Sequence, residues 1–303
     1  MKRFICKICF FFIIVAIVDV TFGNAMEIII KQIDKGGTGR DNYICDIMTD
    51  DVAIFGSSRA ERHYNAQMIS DSLGMSCYNA GESGCGIILA YGRLLMLLER
   101  YTPKLIIYEV TPVFDYLYSD NQQFLYRLKQ RYDRPGIDSI FEDIDPSEKY
   151  KMISRMYRHN SSFLQNLIAY FFNITTENGV KGFRPINEEM DTMRIRKDVK
   201  IDAGNSENDY IFDSLKIHYF EKFLEKSKKL NLIFVCSPIW YGQDTLVLKP
   251  IKDICQRRKI RLLDFSNSPK YVHHNEFFKD GTHLNARGAD EFTKDIISKL
   301  ESN

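Results

Sequence analysis

Short strand-type runs alternate with stretches of helical periodicity along most of this chain, and that alternation narrows the fold more than any other feature. Strand-type runs fall at 52–55, 75–78, 105–110, 232–236 and 260–265. Between them, apolar residues recur at helical spacing over 66–73, 87–100, 215–230 and 248–258. Short strands separated by helix-length crossovers imply a parallel sheet covered on both faces. The predicted fold class is therefore α/β, a three-layer α/β/α arrangement around a mainly parallel five-stranded sheet. Right-handed crossovers then bring every strand's carboxyl end to one edge, the edge where open α/β sheets bind ligands.

One stretch interrupts the alternation, from about 115 to 208, rich in Tyr, Phe and Arg. Helices are expected in it around 121–132, 146–156 and 162–173, with a polar loop over 181–209. Because it leaves from the carboxyl end of the third strand, it is expected to lie over the active edge as a helical cap. Its aromatics, such as Tyr116, Tyr118 and Phe124, either stack on sugar rings or fill the cap's own core. With 303 residues, 45% hydrophobic and 27% charged, the chain can bury a full core as one large domain or two small ones. A formal charge of +1 argues against a nucleic-acid partner, and the basic runs at 194–197 and 257–259 read as solvated faces.

Two short segments more than two hundred residues apart carry the chemistry: Gly56-Ser57-Ser58-Arg59 and Asp280-Gly281-Thr282-His283. The first follows the strand-type run 52–55, and Gly56 marks the turn that must end it. Ser58 then stands at a strand's carboxyl end, while the plainer reading has Ser57 and Ser58 capping the next helix. Asp280 and His283 lie in a loop ahead of the C-terminal helix. Their spacing lets a carboxylate hold one ring nitrogen while the other faces a serine. A serine hydroxyl needs that help, because it is a poor nucleophile at its free pKa.

Taken jointly, the segments resemble the SGNH (GDSL-type) hydrolases, in particular the divergent Ser-Ser branch that includes proteins acting on cell-envelope polymers. Gly56-Ser57-Ser58 is similar to the family's first block, and Asp280 and His283 match its last. Asn79-Ala80-Gly81-Glu82-Ser83-Gly84 is similar to its second block. The resemblance implies a flavodoxin-like sheet, Ser58 as nucleophile, His283 as base, Asp280 as orienting acid and an oxyanion hole from the Ser58 and Gly84 amides. The third block departs: after the strand at 105–110 the chain reads Thr111-Pro112-Val113-Phe114-Asp115, with no Asn to complete that hole. Arg59 and Thr111 are the first residues to examine as substitutes, and Asn79 either joins them or closes a turn.

The N-terminus differs from all that follows. Met1-Lys2-Arg3 and Lys7 precede eleven uninterrupted apolar residues, Ile8 to Val18, ended by Asp19. Positive charge followed by an apolar run marks a secretory signal or a signal anchor. Gly23-Asn24-Ala25 fits a cleavage site, whereas including 4–6 and 20–22 makes the segment long enough to anchor. Residues 1–25 are accordingly read as a signal peptide or anchor and 45–303 as the hydrolase-like domain with its insertion, outside the cytoplasm and attached to the membrane by that segment.

Of seven cysteines, Cys45, Cys77, Cys85, Cys236 and Cys255 lie in the body. Their spacings match no zinc pattern, so they read as small core residues. His63, in the turn after Ser58, binds substrate, serves as an alternative base or is structural. His273-His274 read as surface residues, and no metal or cofactor is called for. The expected function is an exported serine esterase or O-acyltransferase acting on an acylated small molecule or polysaccharide. The alternative is an inactive binding or assembly protein that keeps the fold.

Overall fold

The computed structural model describes residues 1–119, 125–173, 179–191 and 210–302. They divide into two compact units, Met1–Ile47 with Gln123–Glu177, and Met48–Gln122 with Asn178–Asn303.

The second unit is built on a sheet of five parallel strands: β1 (Val52–Gly56), β2 (Cys77–Asn79), β3 (Leu105–Glu109), β4 (Leu232–Cys236) and β5 (Arg261–Asp264). Their order is β2-β1-β3-β4-β5, the flavodoxin-like doubly wound order. β1 through β4 are buried along their whole length, whereas β5 at the edge is half-exposed. That difference explains why 52–55, 105–109 and 232–236 read as nearly continuous apolar runs while β5 begins with Arg261 and ends with Asp264.

Alternate residues of each strand serve opposite faces. On one face Val52, Ile54, Leu105, Ile107, Ile233 and Val235 join Tyr64, Ile69, Phe292 and Ile296 in a single buried cluster. On the other, the Tyr108 ring lies 5.1 Å from Phe223 and Phe234 stacks on Phe220 at 5.5 Å. The helix Ala286–Glu301 covers the first face beside Ser58–His63 and Ala66–Leu73, and Ile87–Leu98 packs with Ser214–Lys226 on the second.

The strand order creates a switch point. From β1 the chain first adds β2 on one side, then returns to place β3 on the other. Loops leaving the carboxyl ends of β1 and β3 therefore diverge and leave a crevice between them. Ser57 and Ser58 follow β1, and Val110 and Thr111 follow β3. Gly56, paired in register with Glu109, makes the close approach possible: its φ is +137°, and a Cβ there would meet the Glu109 carbonyl oxygen at 2.6 Å.

Several predicted elements shift. The residues after Ser58, read as a turn, form the helix Ser58–His63. In the first unit, the helix predicted over 146–156 is broken into Glu148–Lys151 and Arg155–His159. Ser154 is extended, and its hydroxyl accepts the Tyr157 N–H at 3.2 Å, which starts a new helix instead of continuing the old one. A helix at Ile137–Ile144 was not anticipated; it starts after Gly136, whose φ is +79°. Phe163–Phe172 meets the expectation over 162–173 to within one residue at each end, and Tyr126–Lys129 falls within the one over 121–132, of which 121–124, with Phe124, lie outside the described residues. Tyr116 is buried with its hydroxyl donating to Val247 O at 2.7 Å, so it fills core, whereas Tyr118 is exposed.

The N-terminal helix runs Lys2–Lys31 and is long and apolar enough to cross a membrane. It packs against Arg155–His159 and Phe163–Phe172.

Candidate active site

Ser58 is the first residue of the helix Ser58–His63, so its amide is one of the donors that a first turn leaves without an intrahelical acceptor. Its Oγ lies 2.9 Å from His283 Nε2. His283 Nδ1 in turn lies 3.0 and 3.1 Å from the two Asp280 oxygens. An imidazole whose Nδ1 faces a carboxylate carries its proton there, which leaves the Nε2 lone pair for the serine hydroxyl. Ser57 points elsewhere: it is buried, with its Oγ 2.7 Å from Thr111 Oγ1.

The Asp-x-x-His loop holds this geometry by itself. Asp280 Oδ1 accepts the Thr282 and His283 amides at 2.8 and 2.9 Å and the Thr282 hydroxyl at 3.0 Å, an Asx-type turn. Burial alone would raise the Asp280 carboxyl, but the hydrogen bond and charge of His283 together with these amides outweigh it and hold it far below the usual carboxylate range. Asp280 is thus ionised whenever the protein is folded at ordinary pH.

His63 does not face the crevice. It is fully buried, its Nε2 accepts the Leu284 amide at 3.0 Å and its Nδ1 donates to Ser237 Oγ at 2.9 Å. Both ring nitrogens are therefore occupied, which removes His63 as a substrate ligand or base and makes it a tie to the residue after His283. Burial, reinforced by the charges of His283 and Arg59, depresses its pKa well below the usual histidine value and keeps it neutral.

Asn79 is likewise committed. Its amide nitrogen donates to Ala60 O at 2.7 Å and Tyr64 O at 3.0 Å, and its Oδ1 accepts the Gly81 amide. These bonds clamp β2 to the segment after Ser58, so its role is the turn-closing one. Gly81 needs the absence of a side chain here, since a Cβ would sit 2.6 Å from Glu61 N. Gly84 lies in the turn after β2 with φ +73°. Neither Asn79 nor Gly84 lines the crevice.

Arg59 and Thr111 do line it. Arg59 Nε lies 3.3 Å from both Glu109 Oε1 and Thr111 Oγ1, and Nη2 donates to Val110 O. Nη1 has no hydrogen-bond partner among the described residues. Glu109 also accepts from Tyr64 OH and, at 2.7 Å, from Ser237 Oγ. A chain of buried polar groups thus runs from Leu284 through His63 and Ser237 to Glu109 and Arg59, joining the residue after the histidine to the residue after the serine. Glu109 and Ser237 were not singled out in the sequence. The available signal was a carboxylate closing an otherwise apolar strand, Leu105-Ile106-Ile107-Tyr108-Glu109.

The crevice has a volume of about 890 Å³, within the usual range for small-molecule sites. Its walls are mostly apolar, from Pro112, Val113, Phe114, Leu117, Ile239 and Val247, with Tyr241 and Tyr210 beside them. Among the described residues of the 115–208 stretch, only Leu117 contributes.

No sequence-family profile matches the chain, and no curated protein matches it. Solved structures do. One from Bacteroides fragilis, described as an acylhydrolase, is 13% identical, with 82% of this chain and 86% of that chain covered and a TM-score of 0.38. A GDSL-like lipase from Bacteroides thetaiotaomicron is 12% identical over 82% of this chain and 88% of that one, with a TM-score of 0.36. The chemistry of the site stands on its own distances.

The remaining candidates find structural places. The five body cysteines are buried and unbonded to one another. The His273 ring packs on Trp240 at 4.9 Å, and His274 Nδ1 lies 3.2 Å from Glu276 on the surface. Among the described residues no group of three or more His, Cys, Asp or Glu side chains is placed to hold a metal ion.

Proposed function

We propose that this chain is an exported serine ester hydrolase or O-acyltransferase, with Ser58, His283 and Asp280 as its catalytic residues. The observation that carries the reading is the continuous line from Ser58 Oγ to His283 Nε2 at 2.9 Å and from His283 Nδ1 to Asp280 at 3.0 Å, at the switch point of a doubly wound sheet.

In the first half-reaction Ser58 Oγ attacks the ester carbonyl carbon and its proton passes to His283 Nε2. The carbonyl oxygen becomes an oxyanion facing the Ser58 amide, since Gly84, the second donor implied by the resemblance, does not line the crevice. The Arg59 guanidinium, whose Nη1 has no hydrogen-bond partner among the described residues, supplies the charge that the missing third-block Asn would have contributed as a dipole. Collapse breaks the ester C–O bond, and the alcohol leaves with the proton held by His283. In the second half-reaction His283 removes a proton from water or from a hydroxyl group, which attacks the acyl-serine and regenerates Ser58. Water makes the enzyme an esterase, and a sugar hydroxyl makes it an O-acyltransferase. The apolar walls suit the acyl part of the substrate. An envelope or extracellular glycan fits the other part, given the export signal and the Ser-Ser resemblance.

The test is intact-mass labelling with a fluorophosphonate, together with turnover of a chromogenic acetyl ester. Labelling and turnover should disappear in Ser58→Ala and His283→Ala and persist in Ser57→Ala. A folded wild-type protein that neither labels nor turns over the ester, while binding acylated glycan unchanged, would point to the binding-protein alternative.

A further inference from the structure

We infer that the N-terminal helix is retained as a membrane anchor and that the insertion seats on the bilayer surface through the turn at 153–156 and Leu164. This rests on the membrane attachment in the reading above and is independent of the chemistry at Ser58.

At 1.5 Å per residue, positions 4–22 of the helix span about 28 Å, close to the ~30 Å hydrocarbon core of a bilayer. Asp19 then falls about one turn inside the boundary. A carboxylate in the apolar region is costly unless it is paired, so such residues face protein partners. Asp19 has them: Oδ1 accepts from Ser154 Oγ at 2.5 Å and from the Met156 amide at 3.0 Å, and Oδ2 accepts the Arg155 amide at 2.8 Å. All three donors belong to the insertion, so the turn that carries them must reach the depth of Asp19.

The neighbouring turns of the helix are fitted to the same surface. Arg155 Nη1 donates to Asn24 Oδ1 at 2.7 Å and pairs with Glu27 at 3.3 Å. Phe22 and Phe163 lie 5.1 Å apart, and a Cβ on Gly23 would strike Arg155 Cβ at 2.3 Å. Further along, Met26 and Ile30 are buried, and Asn42 Nδ2 donates to the Ile30 and Ile33 carbonyls. The small residues that suggested a cleavage site, Gly23-Asn24-Ala25, are thus part of an internal packing surface. Cleavage there would delete Asp19 and Phe22 and strip the turn at 154–156 of its acceptor.

The lipid is the occupant that fits the exposed side of this turn. Ile153 is 73% exposed, Leu164 66% and Met156 41%, and each adjoins a residue that touches the helix at the Asp19 to Phe22 level. Interfacial segments bury apolar side chains about 5–10 Å into the headgroup and acyl boundary. At the depth set by Asp19 these three meet acyl chains. Phe172 is also exposed, but it stands at the far end of its helix, next to the part whose Tyr170 hydroxyl reaches Gln32 at 3.5 Å. It should clear the bilayer.

The experiment uses the full chain with Cys6→Ala and Cys9→Ala, adding Ile153→Cys, Leu164→Cys or Phe172→Cys for an environment-sensitive fluorophore. The proteins are reconstituted in phosphatidylethanolamine and phosphatidylglycerol vesicles that contain nitroxide-labelled lipid. Expected are several-fold stronger quenching at 153 and 164 than at 172, and an intact mass from cell membranes that includes residues 1–25. A mature chain beginning near Met26, or one recovered apart from membranes, overturns the anchor. An anchored chain with equal quenching at all three positions overturns the seating alone. None of these readouts uses turnover, so they fail or succeed separately from the enzyme reading.

Discussion

Arg59 Nε stands 3.3 Å from Glu109 Oε1, and both side chains are almost wholly buried. The residue after the candidate nucleophile is therefore held by a carboxylate at the carboxyl end of β3. Burial pushes the Glu109 carboxyl up, while the Arg59 charge and the hydrogen bonds from Tyr64 and Ser237 oppose it. Breaking one side of such a pair leaves a buried charge uncompensated, at a loss of about 3–5 kcal/mol. Arg59→Met should lose stability on that scale in urea unfolding, and adding Glu109→Gln should recover part of it. Ester turnover should fall roughly 10²–10³-fold in Arg59→Met and stay low in the double variant. Recovery of turnover together with stability would reduce Arg59 to a structural role.

Asp280→Asn should keep the fold and lower kcat/KM about 10³–10⁴-fold, because the amide no longer holds the tautomer that offers the Nε2 lone pair to Ser58. Steady-state ester hydrolysis checks this, with circular dichroism as the folding control. Ser57→Ala should stay within a few-fold of wild type and lose about 1 kcal/mol of stability, the net value of one buried hydroxyl contact.

His63 is a positioning residue, and its variants separate positioning from binding. His63→Ala leaves the Leu284 amide and Ser237 short of a partner, at about 1–3 kcal/mol. The displaced His283 should lower kcat with KM little changed, and His63→Gln, which can still accept from Leu284, should restore part of both. The pH dependence has a definite sign. The native His63 pKa is depressed, while the unfolded chain takes up a proton near ~6.5. Its contribution to stability is complete above about 6.5 and is lost as pH falls. Thermal unfolding between pH 7 and 5 should fall less steeply in His63→Gln than in wild type, and parallel slopes would contradict the assignment.

Asp115 works in the opposite direction. Burial pushes its carboxyl up to about 7 despite bonds from Tyr108 OH and the Thr111 amide. The native protein keeps this proton over a range in which the unfolded chain, with a pKa near ~3.9, has released it. Stability should therefore decline as pH rises from about 4 to about 7 and level off above that. Asp115→Asn should remove this decline, and a decline of unchanged size in the variant would mean that another group titrates.

Packing on the covered face gives the largest expected loss at a single site. Phe292 is fully buried with its ring 5.3 Å from both Tyr64 and Phe265. Phe292→Ala should cost about 3–5 kcal/mol, read by denaturant midpoint. It should also loosen the loop carrying His283, so turnover measured well below that midpoint should fall too.

Most strands were legible because parallel strands buried on both faces are nearly continuous apolar runs: β4 was read at its bounds and β1 and β3 to within one residue, whereas β2, with only Cys77, Tyr78 and Asn79, was read two residues early at its start. The edge strand β5, half-exposed, was placed to within a residue at each end despite its charged termini. The insertion was less legible. Its helices are short, and their ends depend on single events such as the Ser154 cap and the left-handed Gly136, which periodicity over a long window averages away. Ser58, Asp280 and His283 stood out because each lies beside an element boundary that the sequence marks with Gly56 or with the start of the last helix.

By itself, then, the sequence determined the α/β class, the apolar N-terminal segment and the local Asp-x-x-His turn, all of which arise from interactions between residues near one another in the chain. Only the tertiary structure decided that Ser58 rather than Ser57 meets His283, that His63 and Asn79 face inward, and that Glu109 holds Arg59. Those outcomes depend on which strands lie side by side, and the order β2-β1-β3-β4-β5 brings together groups separated by up to 225 positions that no local pattern relates.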